Sequence, residues 1–102
     1  MKYVLKHKGY YGKIYYSKED EAYVGKVLGF RGMIAVHEDT VSETIKELVE
    51  AIDEYLLDCA EEGWAPNTTD PAVVREMEAY FEYNSQGDSH VIPVHKDLAF
   101  AY

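Results

Sequence analysis

The side chains of this chain that could do chemistry are its acids, four histidines and a single cysteine. Nucleases that use two metal ions hold them with several carboxylates that project from neighbouring strands. Here the densest acidic run, residues 19–21 (Glu-Asp-Glu), falls in a predicted loop, and the predicted strands contain no acid. The positions of the acids therefore disfavour a metal-dependent nuclease, which remains the least favoured of the functions considered.

The histidines and the cysteine form neither a metal-binding nor a nucleophilic pattern. His7, His37, His90 and His95 have no spacing typical of zinc ligands, and the cysteine has no second cysteine to pair with. Cys59 lies in an apolar helical stripe, where a thiol usually behaves as a small buried hydrophobe. We therefore expect no catalytic residue, no metal and no cofactor.

The net charge of −9 is unevenly distributed. Residues 1–37 carry +4 (seven Lys/Arg, three Asp/Glu), residues 38–82 carry −12 (two Lys/Arg, fourteen Asp/Glu), and the remainder carries −1. An acidic surface repels phosphate, and residues 67–102 contain only Arg75 and Lys96 as cations, so direct DNA binding is disfavoured. The charge favours a basic protein partner instead.

Length and hydropathy bound the class of protein. A chain of 102 residues that is 47% apolar suits one domain with one modest core. A single cysteine excludes an intrachain disulfide and is typical of a reducing cytoplasm. No apolar run has the length of a signal-peptide core or a transmembrane helix. We therefore expect a cytoplasmic protein with no membrane partner.

The N-terminal half predicts an antiparallel meander, because the connections are too short for parallel crossovers. The three strand segments are residues 10–16, 22–28 and 33–37. Period-2 alternation places Lys13 and Tyr15 on one face of the first strand. Gly25, in the middle of the second strand, predicts either a bulge or a close approach of another segment.

A long amphipathic helix follows the meander. Thr40 and Glu43 form a capping box at its start, Gly63 is its natural stop, and Pro66 prevents its resumption. Its apolar residues recur at helical spacing: Val41, Ile45, Leu48, Val49, Ile52, Tyr55, Leu56 and Cys59. This stripe must cover one face of the sheet.

The opposite face of this helix is acidic. Its acids are Glu43, Glu47, Glu50, Glu54, Asp58 and Glu61. Like-charged pairs at i,i+4 cost only about 0.2–0.5 kcal/mol each and are screened by salt, so a merely solvated face is one interpretation. The other is a landing surface for a basic partner, with Leu57 as its apolar anchor.

The C-terminal third predicts a second, shorter helix over residues 71–81 with Asp70 as its N-cap. Residues 90–94 predict an edge strand, since Pro93 excludes a central one. The apolar tail, residues 98–102, is expected to dock on the domain or on another subunit. The predicted fold is α+β: a three-stranded antiparallel sheet, with 90–94 as a candidate fourth strand, covered by one long helix, plus a short second helix.

A set of ordered residues carries a resemblance to a known family. The set is Gly12, Glu19, Asp20, Tyr23, Gly25, Thr40, Glu43, Ala51, Asp53, Tyr55, Gly63 and Pro66. In this order and spacing, residues 11–66 resemble the N-terminal domain of the HicB family of antitoxins. The resemblance implies a degenerate, partial ribonuclease-H-like fold without nuclease activity. It also implies a HicB-like domain over residues 1–66 and a C-terminal extension over residues 67–102.

Proteins similar to HicB bind HicA, a small basic RNA-cleaving toxin, and cover its active site. Many also carry a C-terminal DNA-binding domain and repress their own operon, and they are commonly dimers or larger. The tail of this chain matches neither usual DNA-binding module, so that module is either lost or lies outside this chain. Residues 90–102 are the candidate element for homo-oligomer formation.

The leading hypothesis is therefore a non-enzymatic antitoxin that neutralises a small basic toxin. The toxin is expected to contact the sheet edge and hairpin together with the acidic helix face. The candidate partner-binding residues are Tyr15, Tyr23, Glu47, Glu50, Glu54 and Leu57. The alternative is an orphan HicB-like module that forms homo-oligomers and serves interaction or regulation without a toxin.

Overall fold

Short connections pair neighbouring segments of the chain into an antiparallel sheet. The computed structural model describes residues 2–84 and 91–94. Its elements are β1 (Lys2–His7), β2 (Tyr10–Ser17), β3 (Ala22–Val27), β4 (Ala35–Glu38), α1 (Val41–Glu62), α2 (Pro71–Asn84) and β5 (Val91–Val94). The strand order is β4-β3-β2-β1-β5, and every neighbouring pair is antiparallel. The α+β class is confirmed.

The described sheet has five strands, so the prediction of a three-stranded sheet with one candidate fourth strand was wrong. The strand that was missed is β1. It joins β2 through Lys8 and Gly9, which both have positive φ (50° and 83°), as a two-residue type I′ turn requires. Val4 packs on one side of the sheet and Leu5 on the other, so β1 lacks the alternation of a half-exposed strand.

The long helix begins and ends where the sequence predicts. The Glu43 N–H donates to the Thr40 hydroxyl oxygen at 3.1 Å, and the Thr40 hydroxyl donates to the Glu43 carboxylate at 3.1 Å. At the other end, Gly63 adopts a left-handed φ of 72° and its N–H bonds the Cys59 carbonyl. Capping at both ends therefore fixes the length of α1.

Two glycines of the sheet let α1 pack closely against it. A Cβ at Gly12 would lie 2.7 Å from Leu48 Cδ2, and one at Gly25 would lie 3.0 Å from Thr44 Cγ2. The register of β3 runs through Gly25 on both sides without a bulge. Of the two interpretations of Gly25, the close approach is the one that the structure shows.

The two helices cover opposite faces of the sheet, and each face has its own core. The core under α1 consists of Leu5, Tyr10, Ile14, Leu48 and Ile52. The core under α2 consists of Val4, Tyr11, Leu28, Val73, Met77 and Phe81. The sheet is thus a middle layer between one long helix and one shorter helix.

The C-terminal extension packs on the same domain wherever it is described. Asp70 caps α2, since the Ala72 N–H donates to its carboxylate at 2.8 Å. β5 pairs with β1 and occupies an edge of the sheet, as Pro93 requires. The apolar tail at 98–102 and His95 lie outside the described residues. Neither α1 nor α2 combines the length and apolar content needed to cross a lipid bilayer.

Candidate protein-binding surface

The outward side of α1, opposite its core-facing stripe, is the largest acidic surface on the described helices. Its members are Glu43, Glu47, Glu50, Glu54, Leu57, Asp58 and Glu61, here called the acidic face. All are exposed except Glu47, which is half-buried. Leu57 is 57% exposed and places a large apolar side chain among these acids.

A shallow depression lies in the central part of the acidic face. It is lined by Glu47, Glu50, Ala51, Asp53, Glu54 and Leu57 of α1 and by Val36 of β4, and is here called the acidic depression. The four candidate partner-binding residues of the helix therefore line one depression, together with a strand at the edge of the sheet. The helical spacing of these residues was enough to predict that they share one side.

The carboxylates at the centre of this depression are not neutralised by neighbouring cations. None of the ion pairs between described side chains involves Glu47, Glu50 or Glu54. Uncompensated carboxylates on one helix face produce a negative potential that attracts cationic groups from solution. A basic side chain could therefore approach these three carboxylates without first breaking an ion pair between described residues.

Asp53, at the margin of the depression, differs from these acids because it is already paired. Its carboxylate accepts from Lys8 Nζ at 2.8 Å and from His7 Nε2 at 2.8 Å. The hydrogen bond from Lys8, followed by that from His7, lowers the pKa of Asp53 below its usual value. Asp53 therefore attaches α1 to the β1–β2 turn, a role that the sequence does not signal because β1 was not predicted.

Tyr15 lies away from the acidic face. It alternates with Ile14, which packs under α1, so its ring lies on the opposite side of the sheet. The ammonium groups of Lys13 and Lys26 lie 5.1 Å and 6.0 Å from the centre of the Tyr15 ring. The predicted pairing of Lys13 with Tyr15 on one face is confirmed. However, β2 is an interior strand, so the prediction that Tyr15 lies at the sheet edge was wrong.

Tyr23 lies on the side of the sheet that α1 covers, near the β2–β3 hairpin. Its ring meets that of Tyr16 edge-on, with centroids 5.2 Å apart, and Tyr16 is 48% exposed. Tyr23 also sits in an interior strand and does not line the acidic depression. The candidate residues therefore divide into a helix group that shares one depression and two tyrosines that lie elsewhere.

The acids of the hairpin loop have a local structural role. The Ser17 hydroxyl donates to the Asp20 carboxylate at 3.0 Å, and the Asp20 N–H donates to the Ser17 hydroxyl oxygen at 3.3 Å. This arrangement closes the turn between β2 and β3. Within residues 2–84 and 91–94, no three His, Cys, Asp or Glu side chains lie close enough together to hold a metal ion.

A second depression lies beside β4 and was not predicted from the sequence. It is lined by Asp20, Val24, Ala35, Val36 and His37, and is here called the mixed depression. Val24, Ala35 and His37 belong to the sheet face opposite α1, by the alternation of β3 and β4. The alternation of β4 was readable, but its position at the end of the sheet depends on the full strand order.

No protein-family model, no curated protein sequence and no solved structure matches this chain significantly. Function must therefore be inferred from the site itself.

Proposed function

We propose that this chain is a non-catalytic antitoxin of the HicB type, which binds a small basic ribonuclease toxin through the acidic face and covers the toxin's active site. The observation that carries the proposal is the acidic depression. It presents Glu47, Glu50 and Glu54 beside the exposed Leu57, and no described cation neutralises these acids. An apolar centre with a polar rim is the usual arrangement of protein interfaces.

The arrangement of the fold supports a scaffold role. An antiparallel meander followed by one long covering helix can resemble part of a ribonuclease-H-like fold. The described strands contain one acid, Glu38, whereas the other described carboxylates lie on helices and in loops. Carboxylates that point outward from a helix suit recognition better than they suit the clustered metal binding of a nuclease.

Charge complementarity would act mainly on the rate of association. A basic toxin is drawn toward a negative surface before contact, and this steering weakens as salt shortens the screening length. The proposed complex should therefore associate faster at low ionic strength, with a smaller effect on dissociation. Burial of Leu57 against the partner would then contribute to the lifetime of the complex.

The experiment pairs the purified chain with the small basic protein encoded by the adjacent reading frame. Binding is measured by calorimetry, and toxicity is measured as growth during co-expression. The test variant carries Glu47→Lys, Glu50→Lys and Glu54→Lys. We expect affinity to fall by at least about 100-fold, with loss of growth rescue, because three attractive charges become repulsive.

A matched control variant carries Glu19→Lys, Glu21→Lys and Glu62→Lys, which are exposed and lie outside the depression. It has the same net charge as the test variant, so we expect its affinity to change by less than about fivefold at physiological salt. An equal loss of affinity in both variants would show that net charge, and not the acidic depression, controls binding. Absence of any bound basic partner, together with self-association, would favour the orphan module instead.

A further inference from the structure

The outer edge of β4 carries backbone groups that no described strand uses. The Val27 N–H donates to the Ile34 carbonyl at 3.0 Å, and the register continues this pairing along β3 and β4. Bonded and non-bonded pairs alternate in an antiparallel ladder, so Val36 directs its backbone groups toward β3. Ala35 and His37 direct theirs outward, where β4 ends the described sheet.

Depressions flank this edge on both faces of the sheet. The acidic depression lies on the face that α1 covers, and the mixed depression lies on the opposite face. Val36 lines both of them. A strand added beside β4 would place alternate side chains into the two depressions, since successive side chains of a strand point to opposite faces.

We propose that the edge of β4 binds an extended segment of the basic partner as an additional antiparallel strand, with Lys or Arg at alternate positions directed into the acidic depression. This inference rests on the proposed function and names the contact by which the partner docks. Main-chain hydrogen bonds to Ala35 and His37 would supply affinity. Alternate side chains over Glu47 and Glu50 would supply specificity.

Charge decides between this partner and a second copy of the chain. Two copies that paired through β4 about a two-fold axis would place Val36 opposite its own counterpart. Their acidic depressions would then lie side by side, with Glu47 and Glu50 of each copy facing like charges. Like charges across an interface disfavour association, whereas a basic segment neutralises the same carboxylates.

The short length and the charge of β4 favour pairing with a selected partner strand. The strand is short and ends in Glu38, and short, charged edges discourage indiscriminate strand addition. Met33, two residues before the strand, is 86% exposed and offers an apolar contact at the start of the edge. A basic, partly apolar segment is therefore matched both to the charge and to the exposed surface.

The direct test is amide hydrogen exchange of the wild-type chain with and without the basic protein from the adjacent reading frame. We expect the amides of Ala35 and His37 to exchange at least about tenfold more slowly in the complex, because they become hydrogen-bonded. Unchanged exchange at both amides in a saturated complex would overturn the docking mode. Protection that is already present in the free chain, together with dimers in sedimentation, would overturn it in favour of a second copy.

A pair of variants at one position supplies an independent test. Proline at position 37 removes an outward N–H but none of the bonds to β3, so the fold should persist. We expect His37→Pro to bind the partner at least about tenfold more weakly than His37→Ala, which keeps the N–H. Circular dichroism and thermal unfolding test whether both variants are folded.

The two proposals fail in distinguishable ways. If the triple lysine variant loses binding while His37→Pro binds as well as His37→Ala, the strand-addition mode is wrong and the antitoxin function stands. If no basic partner binds the wild-type chain, the proposed function itself fails. If His37→Pro does not fold, the exchange experiment on the wild-type chain still decides the docking mode.

Discussion

The two helix–sheet interfaces of this protein are built on different principles. Under α1, a largely apolar cluster packs onto a sheet in which Gly12 and Gly25 make room for the helix. Under α2, the apolar cluster is accompanied by a half-buried carboxylate, Glu78, which accepts hydrogen bonds from Tyr11 and Lys6. Both interfaces have polar contacts, but Asp53 of α1 pairs with His7 and Lys8 outside the apolar cluster, whereas Glu78 of α2 contacts Tyr11, a member of the apolar cluster.

The two helices differ in the share of their acids that is paired within the fold. Most acids of α1, including Glu47, Glu50 and Glu54, point away from the sheet and make no ion pair with a described side chain, whereas Asp53 of α1 and Glu78 of α2 are used within the fold. The following predictions test this contrast, beginning with the largest effect.

Truncation of the fully buried residue at the centre of each interface should have the largest effect on stability. Leu48 and Met77 are both 0% exposed. We expect Leu48→Ala and Met77→Ala each to lower the free energy of unfolding by about 2–5 kcal/mol in urea titrations. Leu48→Ala should cost more, because Gly12 and Gly25 have no side chains that could fill the cavity. A larger loss of unfolding free energy for Met77→Ala than for Leu48→Ala would contradict this difference between the two interfaces.

Removal of the Tyr11 hydroxyl should weaken only the α2 interface. Tyr11→Phe leaves Glu78 paired with Lys6 alone, and we expect a loss of about 1–2 kcal/mol at pH 7. The hydrogen bonds from Lys6 and then from Tyr11 lower the pKa of Glu78 in the folded state. The contribution of Glu78 to stability is therefore present above its pKa in the unfolded chain, and it is lost as pH falls through the lower pKa of the folded state.

The difference in the free energy of unfolding between wild type and Tyr11→Phe should therefore shrink below about pH 4, near the pKa of Glu in an unfolded chain. Burial, with Glu78, raises the pKa of Tyr11 itself, so the same contact should also weaken as pH rises well above 10. Tyr16→Phe is the control, because this exposed ring should change stability by less than about 0.5 kcal/mol. A difference that persists unchanged at pH 2 would exclude Glu78 as the cause.

Loss of the helix cap should have a moderate effect that is confined to α1. Thr40→Ala removes the acceptor for the Glu43 N–H, and we expect a cost of about 1 kcal/mol by thermal or urea unfolding. Thr40→Ser retains the hydroxyl and should lie within a few tenths of a kcal/mol of wild type. If both variants were equally destabilised, the methyl group of Thr40 rather than its hydroxyl would be responsible.

The exposed link between α1 and the β1–β2 turn should have the smallest effect. Asp53→Asn removes the carboxylate that Lys8 and His7 contact. Because these contacts lower the pKa of Asp53, their contribution is present above the unfolded value near 3.9 and is lost as pH falls through the folded value. We expect a small drop in Tm at pH 7 and low salt that disappears in about 1 M salt. A drop that is independent of salt would contradict an electrostatic origin.

Local signals were sufficient to predict α1 and its acidic face. The capping box at Thr40, the left-handed stop at Gly63 and the spacing of Glu47, Glu50 and Glu54 all act within a few residues of each other. Such signals can be read directly from the chain because helix geometry relates neighbours three and four apart.

Contacts between distant segments were not readable. Lys6 pairs with Glu78 at a separation of 72 residues, and His7 pairs with Asp53 at a separation of 46. In a meander without β1, the strand that carries Tyr15 is at the edge of the sheet. In the structure β1 pairs with the outer side of this strand, which is therefore interior. The Lys8–Gly9 turn was the signal that could have revealed β1.

The pairing of β1 with β5 has a consequence for synthesis on the ribosome. The second edge of β1 stays unpaired until β5, which follows both helices along the chain, has been translated. The acidic helix, by contrast, emerges well before that closure, and domains generally acquire structure from the N-terminus as they are made. A nascent chain would therefore form its acidic face before β1 acquires its second neighbour in the sheet.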